Sequence, residues 1–385
     1  MDNLAHTLVG LAVAKAGLER KSPYATTVCV LAANAPDADI LASVKGRWFY
    51  LENHRGITHS IVGVLALAVL IPLLFYVVEK LIARRRDRPP RIRLRGLLLA
   101  SLVASATHPL LDWTNNYGVR PFLPWSGKWY YGDLVFIVDP WLWLVLGGAV
   151  FLATATTRLR IALWSLLALV LTAAVVFLRA DIPAPARVVW LAGVAFFSAA
   201  RVMNFGARIG RLAPALALAF VPAYWCALAV AHASAVNEAR TITSNVAARY
   251  GESVRRVAAM PSLANPARWR VVGETDAADY VLQLNMSKDG QSGGAAERFE
   301  KLQGADARRI EQLAREDERA RVFLDFARFP IARIVERGAT TGRQDSVTSS
   351  NPASVAQLFD LRFTEPGDDA RRGTFAVEIP LADQR

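Results

Sequence analysis

A polytopic helical membrane domain over residues 1–236, followed by a small soluble α+β domain over residues 237–385, is the architecture this sequence predicts. Three observations predict it. Hydrophobic residues make up 53% of the chain and mean hydropathy is +0.25, high for a water-soluble protein of 385 residues. Several charge-poor runs reach the roughly 18–25 residues that a bilayer-crossing helix needs. Charge is also unevenly divided: residues 1–236 carry 23 Lys/Arg against 11 Asp/Glu, whereas residues 237–385 carry 22 of each. The whole net charge of +12 therefore belongs to the apolar part, mostly as short basic loops. Loops of that kind set membrane topology, and no nucleic-acid partner is expected from them.

Residues 4–18 predict an apolar helix capped by Asn3, with His6 near its start and Lys15, Arg20 and Lys21 at its far end. The chain lacks a basic segment ahead of this helix, so it is expected to be retained rather than cleaved as a signal peptide. A second apolar run, 24–35, ends at Asn34-Ala35-Pro36-Asp37-Ala38-Asp39, where Pro36 and the Asn/Asp side chains predict a turn. A mixed connector covers 40–53. Next comes His54-Arg55-Gly56-Ile57-Thr58-His59-Ser60, directly before 19 uncharged residues (60–78) that predict a membrane helix. The loop 79–95 holds eight Lys/Arg and two acids, which predicts a cytoplasmic location. A returning helix over 96–112 carries His108 near its end.

Residues 113–133 form an aromatic loop suited to a membrane–water boundary. Further spans are predicted from about 134 to before Arg158, over 161–178, over 188–200 and over 212–236. That makes about eight membrane helices, and an even count places both termini on the non-cytoplasmic side. In the soluble domain, strands are predicted at 269–273, 280–286, 332–336, 355–363 and 374–379, with one charged helix over 295–327 and a Gly/Ser-rich loop over 287–294. Cys29 and Cys226 both lie in apolar segments and predict no disulfide framework.

Four of the five histidines fall at one predicted membrane face. His59 and His108 both lie far from the basic loop at about 1.5 Å per helical residue. His6, Asp37 and Asp39 lie at the matching end of the first hairpin. His108 and Asp112 are spaced i, i+4 on one helix face, where they can share an ion or simply pair with each other. His54 and His59 suit a ligand loop or a hydrogen-bonded helix entrance, with Thr58 or Ser60 as cap. Asp37 and Asp39 read equally as turn residues. Converging from four segments, these side chains predict a metal site. His and carboxylate ligands without thiolate suit zinc, with manganese or iron as alternatives. Asp133 and Asp139 are candidate outer ligands or supports. Arg55 is the candidate contact for an anionic group, its alternative being a side chain reaching to lipid headgroups. A structural role is expected for His232.

At these residues the chain resembles the YdjM-like family of bacterial inner-membrane metal-dependent hydrolases. The matching pieces are 2–7 (DNLAHT), 34–39 (NAPDAD), 54–60 (HRGITHS), 108–112 (HPLLD) and the aromatic-Asp-Pro stretch 129–140. They cover roughly the first 145 residues, and Asn265-Pro266 with Trp269-Arg270-Val271-Val272 resembles a C-terminal segment of many members. The family is in turn distantly similar to zinc-dependent phospholipase C and P1-type nucleases. That likeness implies His108 and Asp112 as ligands on one helix, joined by Asp37 or Asp39.

The resulting expectation is a multi-pass protein of the bacterial inner membrane that hydrolyses a lipid or other phosphoester. His6, Asp37, His54, His59, His108 and Asp112 are the expected metal ligands, and Arg55 and Asp39 the expected catalytic residues. Membrane lipid and a lipid or small-molecule phosphoester are the expected partners. The alternative is a non-enzymatic membrane scaffold whose C-terminal domain binds an envelope partner.

Overall fold

A computed structural model describes residues 1–286, 293–336, 354–365 and 375–381. The chain is mainly helical and forms two compact units. The first comprises Met1–Leu41, Asn53–Ala233 and Met260–Ala267; the second comprises Ala42–Glu52, Ser234–Ala259 and Arg268–Arg385. The division thus falls at Ala233/Ser234, and two short segments group with the unit from the other side of that point.

The first unit begins with α1 (Asn3–Lys15), whose cap is Asp2 rather than Asn3: the Asp2 carboxylate accepts from the Ala5 amide. Helix α2 (Ala25–Asn34) does not stop in a turn at Pro36. Its chain tightens into a 3-10 helix over Ala35–Lys45. Proline has no N–H, so the α-type ladder loses a bond at that point, and a tighter spiral satisfies the remaining groups. The 40–53 connector accordingly contains the end of this spiral and a short helix, α3 (Arg47–Asn53).

Helices α4 (Ile61–Arg85) and α5 (Leu94–Trp113) form the expected pair, but α4 runs on through residues 79–85, so the first part of the expected basic loop is helical. Helix α6 (Pro140–Thr154) starts later than expected. Asp139 caps it through the amides of Trp141 and Leu142, and Pro140 takes the first helical position, where a missing N–H costs nothing. Then come α7 (Arg158–Ala173) with a π-type turn over Ala174–Leu178, α8 (Ala184–Val202), the short α9 (Phe205–Ile209) and α10 (Leu212–Ala248).

Among the described residues, six helical segments are long and apolar enough to cross a membrane: Ala25–Lys45, α4, α5, Arg158–Leu178, α8 and α10. The helices α6 and α1 are shorter, at 15 and 13 residues. Small residues let α1, α2 and α5 approach closely. A Cβ on Gly10 would lie 2.8 Å from the Cys29 carbonyl and 3.0 Å from Ala33 Cβ. Ala5, Ala12, Ala32, Ala33, Ala100 and Ala104 are fully buried in the same core.

In the second unit α10 runs on to Ala248, twelve residues past the expected end, with no glycine or proline to stop it. Its buried face continues as Ala235, Ala239, Thr243 and Ala247 at i, i+4 spacing. Gly273 is required beneath it, since a Cβ there would meet Thr243 Cγ2 at 2.2 Å. A four-stranded antiparallel sheet has the order β1 (Arg256–Ser262), β2 (Asn265–Glu274), β3 (Ala278–Asn285), β4 (Gly293–Glu300), of which Met260–Ala267, at the β1–β2 turn, groups with the first unit. A second sheet has the order β5 (Pro330–Glu336), β6 (Ser354–Asp360), β7 (Ala376–Pro380).

The charged segment 295–327 is not one helix. Its first residues pair with β3 as β4, and the rest divides into α11 (Gly304–Glu316) and α12 (Glu318–Phe326). Asp317 adopts an extended conformation and caps α12 through the Arg319 and Ala320 amides, which ends one helix and starts the next. Strands β1 and β4 are absent from the sequence-based expectation, β2 and β5 contain the expected runs, and β3, β6 and β7 overlap theirs. The expected runs at 280–286, 355–363 and 374–379 reach beyond these strands at one end, and the last two residues of the expected loop over 287–294 belong to β4; residues 287–292 and 374 lie outside the described residues.

Candidate metal centre

Three structural elements of the first unit deliver four ligand atoms to one point. The 3-10 spiral after α2 contributes Asp37, a single 3-10 turn over Ile57–His59 contributes His59, and α5 contributes His108 and Asp112 one turn apart. These four groups can each place one ligand atom within 4.8 Å of all the others. His59 Nε2 lies 3.4 Å from Asp37 Oδ1 and 3.3 Å from Asp112 Oδ2. His108 Nε2 lies 3.4 Å from each of the same two oxygens and 3.1 Å from His59 Nε2.

The neighbours of these groups decide where their protons are. His108 Nδ1 is 2.6 Å from the Ala33 carbonyl, an acceptor only, so this nitrogen carries the hydrogen and donates it. His59 Nδ1 is flanked by Asp39 Oδ2 at 3.3 Å and Thr58 Oγ1 at 3.1 Å. Both rings turn Nε2 inward, each toward the same two carboxylate oxygens. Two imidazole nitrogens and two carboxylate oxygens thus meet at one buried point, a set of groups able to hold a divalent cation. Five of the six separations, at 3.1–3.4 Å, are close to those around one ion. A tetrahedron with metal–ligand bonds of about 2.0–2.1 Å has edges of about 3.3–3.4 Å, and two His with two carboxylates is a zinc-type donor set.

Local sequence explains the positions. Ser60 accepts from the Gly63 amide to cap α4 and donates to the Ile57 carbonyl, fixing the turn that carries His59. Gly63 is obligatory there, since a Cβ would sit 1.9 Å from the Ile57 oxygen. Arg55 adopts a left-handed backbone conformation (φ 51°), which turns the chain between His54 and His59.

Asp39 is at the centre of this loop and outside the four-ligand group. Its Oδ2 accepts from the Arg55 amide (2.8 Å) and faces His59 Nδ1, while its Oδ1 is 3.1 Å from His54 Nδ1. A carboxylate behind a histidine ligand fixes the ring and raises its basicity. Asp39 therefore supports rather than binds. His54 likewise stands behind the centre, its ring 6.0 Å from that of His59 and 5.3 Å from Tyr117.

Arg55 turns its guanidinium inward. Nη2 lies 3.0 Å from Asp112 Oδ1, and Nη1 donates to the Asp112 and Gly118 carbonyls and to Asn115 Oδ1. The group also lies over the Tyr117 ring at 4.7 Å. Only Nε makes no hydrogen bond among the described residues. The arginine thus offsets the charge of a carboxylate that is 1% exposed. The Met1 amino group also contacts Asp112 Oδ1. His6 is fully buried and stacks on His108 with ring centroids 3.7 Å apart, its Nε2 3.5 Å from Asp112 Oδ1. It is adjacent to the four ligands without completing their set.

Of the other expected residues, Asp139 caps α6 and accepts from the Tyr224 hydroxyl at 3.0 Å. Asp133 is buried with a left-handed backbone (φ 53°), between residues whose amides bond back to the end of α5: Gly132 N to the Trp113 carbonyl and Leu134 N to the Thr114 carbonyl. His232 is half-buried on α10 and outside the cluster. Asn115, Tyr117 and Arg120 were not anticipated. Arg120 donates to the His54 carbonyl and lies over Trp129. A polar run directly after Asp112, Thr114-Asn115-Asn116, is the signal that could have pointed to Asn115.

Residues 1–182 of the chain match the family model described as YdjM inner membrane protein. A curated relative, "Uncharacterized protein YfhP" of Bacillus subtilis (strain 168), is 30% identical over 152 residues, which is 37% of this chain. That match covers 43% of the relative's length. All the candidate ligands lie within the family match. No solved structure matches the chain.

Proposed function

We propose that the membrane unit is a metal-dependent hydrolase, acting on a lipid or other phosphoester at the face that carries the candidate ligands. Zinc is the metal the donor set favours, with manganese or iron as alternatives. One observation carries this reading: two imidazole nitrogens, His59 Nε2 and His108 Nε2, and two carboxylate oxygens, Asp37 Oδ1 and Asp112 Oδ2, converge within 4.8 Å of one another. When bound, a divalent cation supplies Lewis acidity for hydrolysis at neutral pH. The chain's own residues orient and balance the centre. Asp39 holds His59 and His54, the Ala33 carbonyl holds His108, and Arg55 balances and fixes Asp112.

Access favours an amphiphilic substrate. His59, His108 and Asp112 are at most 1% exposed, and Asp37 alone, at 17%, opens outward. The next turn of its spiral presents Ile40 and Leu41, exposed at 54% and 71%. Large apolar side chains left outside beside a polar centre suit the hydrocarbon of a lipid more than a free solute. The family resemblance supports an inner-membrane location, and the basic loops support placing the site and the C-terminal domain on the non-cytoplasmic side.

Elemental analysis of the purified full chain tests the metal. About one equivalent of zinc or manganese is expected, falling to background in His59→Ala and Asp112→Ala. Metal-free protein of normal fold and function would end the proposal. Hydrolysis of a short-chain phospholipid and of bis(p-nitrophenyl) phosphate, abolished by chelator and restored by metal, tests the reaction. A loaded centre inactive on both would leave a metal site without phosphoesterase function.

A further inference from the structure

At the end of the first unit marked by Lys15 and Arg20 lies a second polar feature, away from the described centre in sequence. A cavity of about 380 Å³ is lined by Lys15 at the end of α1, by Glu19 and Arg20 from the 3-10 turn Leu18–Arg20 that follows it, and by Arg208 and Arg211 from the α9–α10 turn. That volume is within the range of ligand sites. Lys15 and Glu19 neutralise each other at 2.6 Å. Three guanidinium groups remain, and none makes a hydrogen bond or ion pair with the described residues. Their convergence is built by backbone: Gly17 (φ 147°) turns the chain after α1, Gly210 (φ 47°) turns it before α10, and Arg211 Nη1 lies 3.8 Å from where a Gly17 Cβ would stand. With the Glu19 carboxylate taken up by Lys15, the three arginine charges around the cavity repel one another, and an anion relieves that repulsion.

We propose that this cavity binds the phosphate of an acidic phospholipid in the leaflet at that end of the bundle. The start of α10 favours a lipid over free phosphate. Leu212 and Leu216, one helical turn apart on that helix, are 55% and 58% exposed and continue from the cavity along an apolar surface. The headgroup would meet the arginines while an acyl chain lies on the two leucines. Basic pockets between membrane helices recognise anionic lipid headgroups in this way.

The test uses the full chain in detergent, titrated with phosphatidylglycerol or phosphatidylcholine of identical chains and read by native mass spectrometry. Phosphatidylglycerol is expected to bind about tenfold more tightly, and Arg208→Gln with Arg211→Gln to abolish that preference while metal content stays unchanged. Equal binding of the two lipids by the unsubstituted protein overturns the proposal, as does an undiminished preference in the variant. Displacement of bound phosphatidylglycerol by millimolar inorganic phosphate also overturns it, assigning the cavity to a free anion. Should the double variant misfold, the lipid comparison and the phosphate competition on the unsubstituted protein decide the matter by themselves.

Discussion

Asp39 touches three groups of one loop at once: the Arg55 amide, His54 Nδ1 and His59 Nδ1. Asp39→Asn keeps the shape and removes the charge behind His59, so metal affinity is expected to weaken about 10–100-fold without loss of fold. Competition against a chelator of known affinity checks this, and an unchanged affinity would remove Asp39 from its supporting role. In the second unit Asp279 is another buried carboxylate, 1% exposed. Burial pushes it up to about 7 and Glu274 adds to the rise, against the pull of Lys301, 3.3 Å away, and of Arg256. The folded state therefore holds a proton that the unfolded chain releases from about pH 4. Stability supplied by this group is full below that pH and is lost as pH rises through about 7. Amide exchange of β2, β3 and β4, corrected for intrinsic rates, should show protection falling between about pH 4 and 7. Asp279→Asn should flatten that fall; an equal fall in the variant would assign it to other groups.

At the scale of elements, the centre depends on how closely backbones approach. Gly63→Ala would press a methyl against the Ile57 carbonyl and displace the turn carrying His59. A loss of about 1–3 kcal/mol and of metal occupancy is expected. Gly127→Ala, with nothing within 4 Å of its added carbon, should stay within about 0.5 kcal/mol of the unsubstituted protein. Thermal unfolding of the two variants side by side checks the contrast. Gly10→Val acts similarly at a distance: it would separate α1 from α2, and the Ala33 carbonyl that orients His108 belongs to α2. Lowered metal content in Gly10→Val, despite its position away from any ligand, is the expected readout.

For the whole molecule, metal binding is expected to act as a staple confined to the first unit. Asp37, His59 and the pair His108/Asp112 are far apart in sequence, so a shared ion ties α2, the turn before α4 and α5 together. A metal present at 100 times its dissociation constant adds about 2.7 kcal/mol to the state that binds it. Chelation should therefore raise hydrogen exchange in residues 30–60 and 100–116 and leave the strands of the second unit unchanged. Equal loosening of both units would contradict a local staple. The topological proposal has its own test, since a phosphatase reporter fused after Arg385 should be active only outside the cytoplasm.

The long apolar runs by themselves specified membrane helices, because bilayer thickness converts a run of uncharged residues directly into a span. The basic loops likewise marked the ends of α4 and α5. Histidine and aspartate spacing was enough to nominate His59, His108, Asp112 and Asp37, since such groups are costly at membrane depth. Local chemistry was less legible where tertiary context decides. Pro36 reads as a break and instead becomes a 3-10 spiral, and the charged stretch 295–327 reads as helix although β3 claims its beginning as a strand. Most of all, only the tertiary structure separates ligand from support. Asp37 and Asp39 are two residues apart and alike in sequence, yet their side chains leave the spiral in different directions, one to the Nε2 atoms of His59 and His108 and one to the Nδ1 atoms of His54 and His59. Direction in space, set by packing against α5 and the 54–60 loop, is what composition and spacing do not encode.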